Sequence, residues 1–252
     1  MSERLLDLLE ARTGVVCAVG AGGKKTTLDR LFDLHPGRVA LTTTVRTTRF
    51  RDLPETTNVV ASEQELERQV AHAARATRRV AYARATDKPG RHGDVPGELI
   101  GRLHGSCGFD VTLVKADGAR MRWIKAPTDR EPVVPPATRT IIAIVSARVL
   151  GQPLTDRIAH RVERVALVTG ARAGEALTAL HVARLLASPD GLLRASDGRL
   201  VVPLINMVDD EERRRIAADA AEHALGMTDR FDYVVLASMR RPGDPVIDVI
   251  RR

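Results

Sequence analysis

The chain has 252 residues, of which 44% are hydrophobic and 28% are charged. This composition is typical of globular proteins and argues against a disordered or fibrous protein. Lysine and arginine exceed aspartate and glutamate by 39 to 32, without a long basic block or interleaved aromatic residues, so nucleic acid is an unfavoured partner. No apolar stretch approaches the ~20 residues of a membrane span, which argues against a membrane partner. Two distant cysteines and a start without an apolar leader favour a cytoplasmic location.

The start of the chain predicts a helix, a strand, a turn and a second helix. Ser2 followed by Glu3 and a leucine-rich segment is typical of a short capped helix. Residues 15–19 form a continuous apolar run that leads into a glycine cluster, as a buried strand would. Residues 26–34 then have helical spacing and end at His35, Pro36 and Gly37.

The rest of the chain alternates between short apolar runs and helical patterns. The runs at 39–41, 59–61, 80–83, 111–114, 141–145, 201–205 and 233–236 predict strands, and helices are predicted near 63–76, 96–103, 177–186 and 210–225. Segment 123–136 contains four prolines and predicts an ordered functional loop. We therefore expect a single α/β domain over 1–252, with three layers and a mainly parallel, doubly wound sheet.

The turn after the first strand has the parts of a phosphate site. It comprises Gly20, Ala21, Gly22, Gly23, Lys24, Lys25, Thr26 and Thr27. Glycines allow a phosphate to approach backbone N–H groups at a helix start. Lys24 or Lys25 can reach terminal phosphates, and Thr26 or Thr27 can place a hydroxyl on magnesium. The spacing matches a shortened Gly-x-x-Gly-Lys pattern rather than the full Walker pattern. Because Lys25 stands where a serine or threonine usually follows the phosphate-binding lysine, Thr26 is the expected magnesium ligand. The alternative is an empty glycine-rich turn.

Two further strand ends carry candidate residues. Asp117 follows the run at 111–114 and precedes Gly118, so it could hold magnesium directly or through water, although Asp-Gly is also a common turn. Asn206 and Asp209 follow the run at 201–205 with the spacing of the Asn-Lys-x-Asp signature that reads guanine, although Met207 replaces the lysine. The alternative there is a helix N-cap at Asp209 or Asp210.

Weaker candidates lie in the predicted loops and strand ends. They are Arg46 after the threonines at 42–44, Lys125 with Glu131, and His160 with Arg161. Each could line a catalytic or substrate site, but scattered residues of these types are more often solvated or capping residues.

Several short segments together carry a family resemblance. They are VGAGGK at 19–24, LTTT at 41–44, ADGA at 116–119, KAP at 125–127, EPVVP at 131–135, HR at 160–161 and NMVD at 206–209. In this order and separation they resemble the YqeC family of selenium-dependent hydroxylase accessory proteins, over nearly the whole chain. Lys115 departs from the family, which often has an acidic residue before Ala-Asp-Gly.

The resemblance implies a role in maturing selenium-dependent molybdenum hydroxylases with the help of a nucleotide. It marks residues 20–27 as the nucleotide site, Asp117 as an acidic partner, and Lys125, Glu131, His160 and Arg161 as site-lining residues. The turn, the Asp-Gly strand end and the Asn-x-x-Asp spacing also look like the P-loop GTPases that deliver metals to enzymes, and the turn alone looks like the loop of Mur-type ligases. A P-loop-NTPase-like or Mur-ligase-like fold is therefore expected.

The leading hypothesis is an accessory protein that hydrolyses ATP or GTP with magnesium, or transfers a group from it. Its expected partners are a nucleoside triphosphate and a molybdenum hydroxylase or the proteins that synthesise its cofactor. The alternative is a non-catalytic carrier or chaperone of a phosphate-bearing, molybdopterin-type cofactor. Nucleic-acid binding ranks last.

Overall fold

The computed structural model describes residues 3–52 and 54–252. The predicted cap at Ser2 lies outside these residues, and the first helix begins at Glu3. No helix in the described ranges is long and apolar enough to cross a membrane.

The described chain alternates between strands and helices. The helices are α1 (Glu3–Leu8), α2 (Lys24–Leu34), α3 (Glu63–Ala76), α4 (Gly97–Ser106), α5 (Val162–Thr169), α6 (Ala179–Ala187) and α7 (Glu211–Met227). The strands are β1 (Gly14–Gly20), β2 (Val39–Thr43), β3 (Thr47–Thr48), β4 (Thr57–Ala61), β5 (Arg79–Arg84), β6 (Arg91–His92), β7 (Val111–Lys115), β8 (Ile124–Lys125), β9 (Thr138–Ser146), β10 (Ala159–His160), β11 (Leu200–Asn206), β12 (Tyr233–Ala237) and β13 (Val246–Arg251).

Nine strands form one sheet in the order β13-β12-β11-β9-β1-β7-β2-β5-β4. Every neighbouring pair is parallel except β12 and β13, which run antiparallel at one edge. The pairs β3 with β6 and β8 with β10 form two small separate sheets. Strand β1 lies in the middle, so the turn that follows it is surrounded by the ends of its neighbours.

The two faces of the sheet bury different cores. Along β1, Val16 and Ala18 belong to a core that includes Leu31 of α2, whereas the alternate residue Cys17 belongs to the opposite core. Helices α1 and α2 cover the first face and α3 to α7 contribute to the second. Both cores consist mainly of valine, leucine, isoleucine and alanine, as expected for a buried parallel sheet. This arrangement confirms the predicted three-layer α/β fold.

Most predicted elements are present, and the differences are local. Helix α5, which has only eight residues, and strand β13, whose apolar run is interrupted by Asp248, were not predicted. Segment 123–136 has regular structure only at β8, as its prolines predict. Its two-residue strand matters because it pairs with β10 and thereby joins two distant parts of the chain.

Candidate functional site

The carboxyl ends of five parallel strands meet at one edge of the sheet. Gly20 ends β1, and the neighbouring strands β7, β2, β9 and β11 end at Lys115, Thr43, Ser146 and Asn206. Ligands of doubly wound folds bind at this edge, because loops rather than continuing strands leave it. The candidate residues at the ends of β1, β7 and β11 therefore share one side of the molecule.

The turn between β1 and α2 requires glycine at two positions. Gly22 and Gly23 have φ angles of 89° and 119°, a region that side chains disfavour. A Cβ atom on Gly22 would lie 2.6 Å from the Cβ of Ser146, and one on Gly23 would collide with the side-chain amide of Asn206. These glycines thus let the turn pack against the ends of β9 and β11, a constraint additional to the approach of a phosphate.

A run of backbone N–H groups in this turn is available for a ligand. The N–H of Gly20 donates to Oδ2 of Asp117 at 3.0 Å, and that of Ala21 donates to the carbonyl of Ile144 at 2.9 Å. Within residues 3–52 and 54–252, the next five N–H groups, from Gly22 to Thr26, have no acceptor; that of Thr27 bonds to Gly23. Helix α2 has neither a side-chain cap nor an acidic residue in its first turn. Free N–H groups at a helix start attract anions.

The two adjacent lysines of the turn have different environments. The Nζ atom of Lys24 lies 2.8 Å from Oδ1 of Asp117 and donates to the carbonyl of Gly20, and its side chain is 5% exposed. Burial lowers the pKa of Lys24, while the charge of Asp117 acts in the opposite direction. The ammonium of Lys25 instead donates to the carbonyl of Arg49. Of the two lysines, Lys24 is the one paired with Asp117 at the strand ends.

A chain of ion pairs continues from Asp117 through the proline-rich segment. Lys125 Nζ lies 3.1 Å from Oδ2 of Asp117 and 2.6 Å from Oε2 of Glu131, and it also donates to the carbonyl of Gly118 at 2.6 Å. Arg161 contacts the same oxygen of Glu131 at 2.8 Å. Burial raises the pKa of Glu131, but the hydrogen bonds from Arg161 and Lys125 prevail and lower it to about 2.

The pairing of β8 with β10 explains how these residues meet. His160 of β10 is in register with Lys125 of β8, so Arg161 follows directly beside them. The pKa of His160 is lowered by burial and then by the positive charges of Arg161 and Lys125, which favours a neutral imidazole near pH 7. The two pairs that the sequence pattern suggested, Lys125 with Glu131 and His160 with Arg161, therefore lie together.

Lys115, the last residue of β7, is an additional member of the site. Its Nζ atom donates to the carbonyl of Asp117 at 2.7 Å. Burial, followed by the charge of Lys24, lowers its pKa to about 8. From the sequence alone, Lys115 was recognised only as a departure from the family. Its position at a strand end, two residues before Asp117, was the signal that could have found it.

We call Lys24, Lys115, Asp117, Lys125, Glu131 and Arg161 the charge cluster. It contains four cations and two carboxylates, an excess of two positive charges in a mostly buried region. Because uncompensated buried charge is unfavourable, such a cluster is suited to an anionic ligand.

The residues predicted to read a base have partners within the protein. Asn206 donates from Nδ2 to the carbonyl of Gly22 at 2.9 Å and accepts from the N–H of Met239 at 3.2 Å. Asp209 accepts from Arg148 at 2.7 Å and from Ser238 at 2.8 Å. The alternative of a helix N-cap is confirmed for Asp210, which accepts from the third N–H group of α7. Base recognition by Asn206 and Asp209 stays a prediction.

The remaining candidates lie outside the charge cluster. Arg46 is exposed and has no ion pair or hydrogen bond in the described part of the chain. The hydroxyls of residues 42–44 donate to backbone carbonyls of neighbouring segments. Thr26 is partly exposed with no side-chain hydrogen bond, and Thr27 is completely buried with an unpaired hydroxyl among the described residues.

The two expected magnesium ligands, Asp117 and Thr26, differ in how many partners they already have within the protein. Oδ2 of Asp117 contacts the ammonium of Lys125 and the N–H of Gly20, whereas Oδ1 lies 2.8 Å from the ammonium of Lys24 and has no hydrogen-bond partner among the described residues. Magnesium ligation by Asp117 stays a prediction. The hydroxyl of Thr26 makes no hydrogen bond within the part of the chain that the structure describes. Residues 3–52 and 54–252 contain no group of three or more metal-binding side chains, but magnesium in triphosphate sites typically has only one or two protein ligands.

Comparison with known proteins identifies the family. The family model described as YqeC protein matches residues 16–163, a range that includes β1 from Val16 onward, the glycine turn and the entire charge cluster. The protein described as "Uncharacterized protein YqeC" from Escherichia coli strain K12 is 29% identical over 200 residues, covering 77% of this chain and 75% of that protein. The chain belongs to the YqeC protein family.

Proposed function

We propose that this chain binds a nucleoside triphosphate, ATP or GTP, with its phosphates against the N–H groups of residues 22–26. The observation that carries this proposal is the combination of five N–H groups that have no acceptor among the described residues with an adjacent charge cluster that has two excess formal positive charges. A polyphosphate satisfies both, because its oxygens accept hydrogen bonds and its negative charge compensates the cations.

The residues have distinct roles in this proposal. The ammonium of Lys24 exchanges part of its contact with Asp117 for a terminal phosphate, while the N–H groups stabilise the charge that develops on the leaving phosphate. Glu131 holds Lys125 and Arg161 in place through its two ion pairs. Magnesium bound to the triphosphate supplies further charge neutralisation, and Thr26 is its proposed protein ligand.

The reaction we propose is hydrolysis of the nucleotide or transfer of a group from it, in the maturation of selenium-dependent molybdenum hydroxylases. The support for this biological role is the family resemblance, and the proposed partners are such a hydroxylase or the proteins that make its cofactor. Deleting the gene for this chain should lower the molybdenum or selenium content of the hydroxylase. Unchanged metal content and activity in the deletion strain contradict the role.

A second candidate function has one specific observation in its favour. Both carboxylates of the charge cluster are paired with cations, and the lowered pKa of Glu131 makes this carboxylate a weak base towards a water or hydroxyl nucleophile. That arrangement suits a carrier or chaperone that holds a phosphate-bearing cofactor of the molybdopterin type without turnover.

Calorimetric titration of the whole chain with ATP and GTP, each with and without magnesium, tests the shared claim. We expect a dissociation constant of about 1–100 μM for at least one nucleotide. Absence of binding by either nucleotide at about 1 mM contradicts the triphosphate proposal. Release of inorganic phosphate then separates the candidates, since turnover favours the enzyme and tight binding without turnover favours the carrier.

A further inference from the structure

A cavity of about 330 Å³ lies beside the edge strand β4, away from the charge cluster. Its walls come from the segments before β4 and after β5, together with Asn58 and Val60 of β4 itself. These two residues alternate with Val59 and Ala61, which lie in the core with α3, so the cavity is on the opposite face of the sheet. The volume is at the lower end of the range for small-molecule sites.

One wall of this cavity contains a buried histidine with an unused nitrogen. His92 is 7% exposed, and its Nδ1 atom has no hydrogen-bond partner among the described residues. The ring of Phe50 packs beside it, with centroids 4.8 Å apart and planes inclined by 43°. Burial lowers the pKa of His92, and the charges of Arg49 and Lys25 lower it further, so the imidazole is neutral near pH 7. An unpartnered buried polar nitrogen calls for a partner.

The rim of the cavity is positively charged. Arg49, Lys88 and Arg91 line it, and within the described ranges none of their side chains has an ion pair or hydrogen bond. The one carboxylate in the described lining, Asp52, accepts a hydrogen bond from Asn58 at 3.3 Å. The lining therefore carries an excess of positive charge beside an aromatic wall.

We propose that this cavity binds a small organic anion that contains a flat unsaturated ring. The ring lies against Phe50 and His92, a polar ring substituent bonds to the imidazole of His92, and the anionic group faces Arg91 and Lys88. The cavity holds a ligand of one or two rings. This site is separate from the proposed triphosphate site, and its ligand binds without nucleotide.

The wall of the cavity is nevertheless connected to the glycine turn. The ammonium of Lys25 in the first turn of α2 donates to the carbonyl of Arg49. The cavity lies on the β2–β5–β4 side of β1, whereas Asn206 lies on the β11 side. A ligand in this cavity would therefore lie near the β4 end of the strand order, away from the predicted base-recognition residues near β11.

The test is a nucleotide-free titration of the whole chain, labelled with ¹⁵N-histidine, followed by NMR. The probes are orotate and nicotinate, with uracil and nicotinamide as their uncharged counterparts. We expect at least one carboxylate to shift the His92 resonances saturably, with its uncharged counterpart binding about tenfold or more weakly. No His92 shift by either carboxylate at about 10 mM, or equal binding of the uncharged rings, overturns the proposal.

Variants locate the binding. Arg91→Ala should weaken carboxylate binding about fivefold or more, and His92→Phe should also weaken it, because the ring is kept while the free nitrogen is lost. Arg215→Ala is the matched control, since Arg215 is an exposed cation on α7 outside the cavity. A loss for Arg215→Ala as large as that for Arg91→Ala overturns the proposal, because binding would then follow net charge alone. The Arg91 result decides the matter if His92→Phe fails to fold.

Discussion

The edge of the sheet that carries the strand ends has two halves that differ in charge balance. On the β7 half, Lys24, Lys115 and Lys125 surround Asp117, and the positive charges exceed the negative ones. On the β11 half, Asn206 uses both ends of its amide within the protein, and Asp209 has Arg148 and Ser238 as partners. Both halves contain polar residues at strand ends, but only the β7 half is left with an imbalance.

This difference separates structural polar residues from candidate binding residues. A polar group whose hydrogen bonds all lie within the protein stabilises the fold and gains little from a ligand. A buried excess of charge is unfavourable in the free protein, so an anion of opposite charge relieves it. We therefore predict that substitutions of the cations on the β7 half change ligand affinity, whereas substitutions on the β11 half mainly change stability.

The largest expected effect is that of Lys24→Ala on nucleotide affinity. The variant removes the ammonium beside the free N–H groups, and we expect affinity for ATP or GTP to fall about 100-fold, or about 2.7 kcal/mol. Asp117 keeps Lys125 as a partner, so the fold should survive. Calorimetric titration measures the loss and thermal unfolding verifies the fold.

Lys25→Ala is the comparison for that variant. Its ammonium contacts the carbonyl of Arg49, and we expect a loss of no more than about twofold. If Lys24→Ala keeps the parental affinity while Lys25→Ala loses it, the assignment of the two lysines is wrong.

The next effect is the loss of stability in Asn206→Ala. The carbonyl of Gly22 and the N–H of Met239 lose their side-chain partner in a buried region, so the free energy of unfolding should fall by about 2 kcal/mol. Urea denaturation measures it. Asp209→Asn should cost less, because Asp209 is partly exposed.

The same variant tests base recognition. If Asn206 serves the fold, any effect of Asn206→Ala on nucleotide binding should be the same for ATP and GTP. A selective loss of GTP binding, by about tenfold or more, would instead support a base-reading role on the β11 half.

A smaller effect is expected from Glu131→Gln, and it depends on pH. The pKa of Glu131 is lowered from 4.5 to about 2, so its ionised form stabilises the folded state above about pH 4.5. We expect a loss of about 1–2 kcal/mol at pH 7. The difference from the parental chain should close as the pH falls from about 4.5 towards 2, because the carboxyl becomes protonated in both states. Urea denaturation at pH 7, 5 and 3 measures this, and a constant difference contradicts the assignment.

The smallest effect concerns Lys115. Burial lowers its pKa to about 8, so its ammonium is present at pH 7 and largely lost by pH 9. If it attracts phosphate, parental affinity for the nucleotide should fall about threefold over this range. Lys115→Met should bind more weakly at pH 7 and show a flatter profile. An identical slope in both proteins would assign the titration to another group, such as Lys24.

The sequence predicted the layered architecture because local patterns encode it. Short apolar runs separated by helical patterns specify buried parallel strands, and the glycine cluster between residues 15–19 and 26–34 identified the turn between β1 and α2. Helix α3 matches its predicted bounds, since its apolar spacing and flanking polar residues are contained within the segment itself. The edge strand β13 was missed because its own residue pattern is a weak strand signal. It is a strand because it pairs with β12, a contact that the local sequence does not show.

By itself the sequence determined the fold class, the glycine turn and the residue types available at the strand ends. Only the tertiary structure decided which of these residues contact one another. In the folded chain Lys24 pairs with Asp117, whereas Lys25 bonds to the carbonyl of Arg49. The pairing of β8 with β10 places Arg161 beside Glu131. The physical reason is that electrostatic interactions depend on distance and burial across strands far apart in the chain. The spacing of residues along the sequence gives neither their distance in the fold nor their burial.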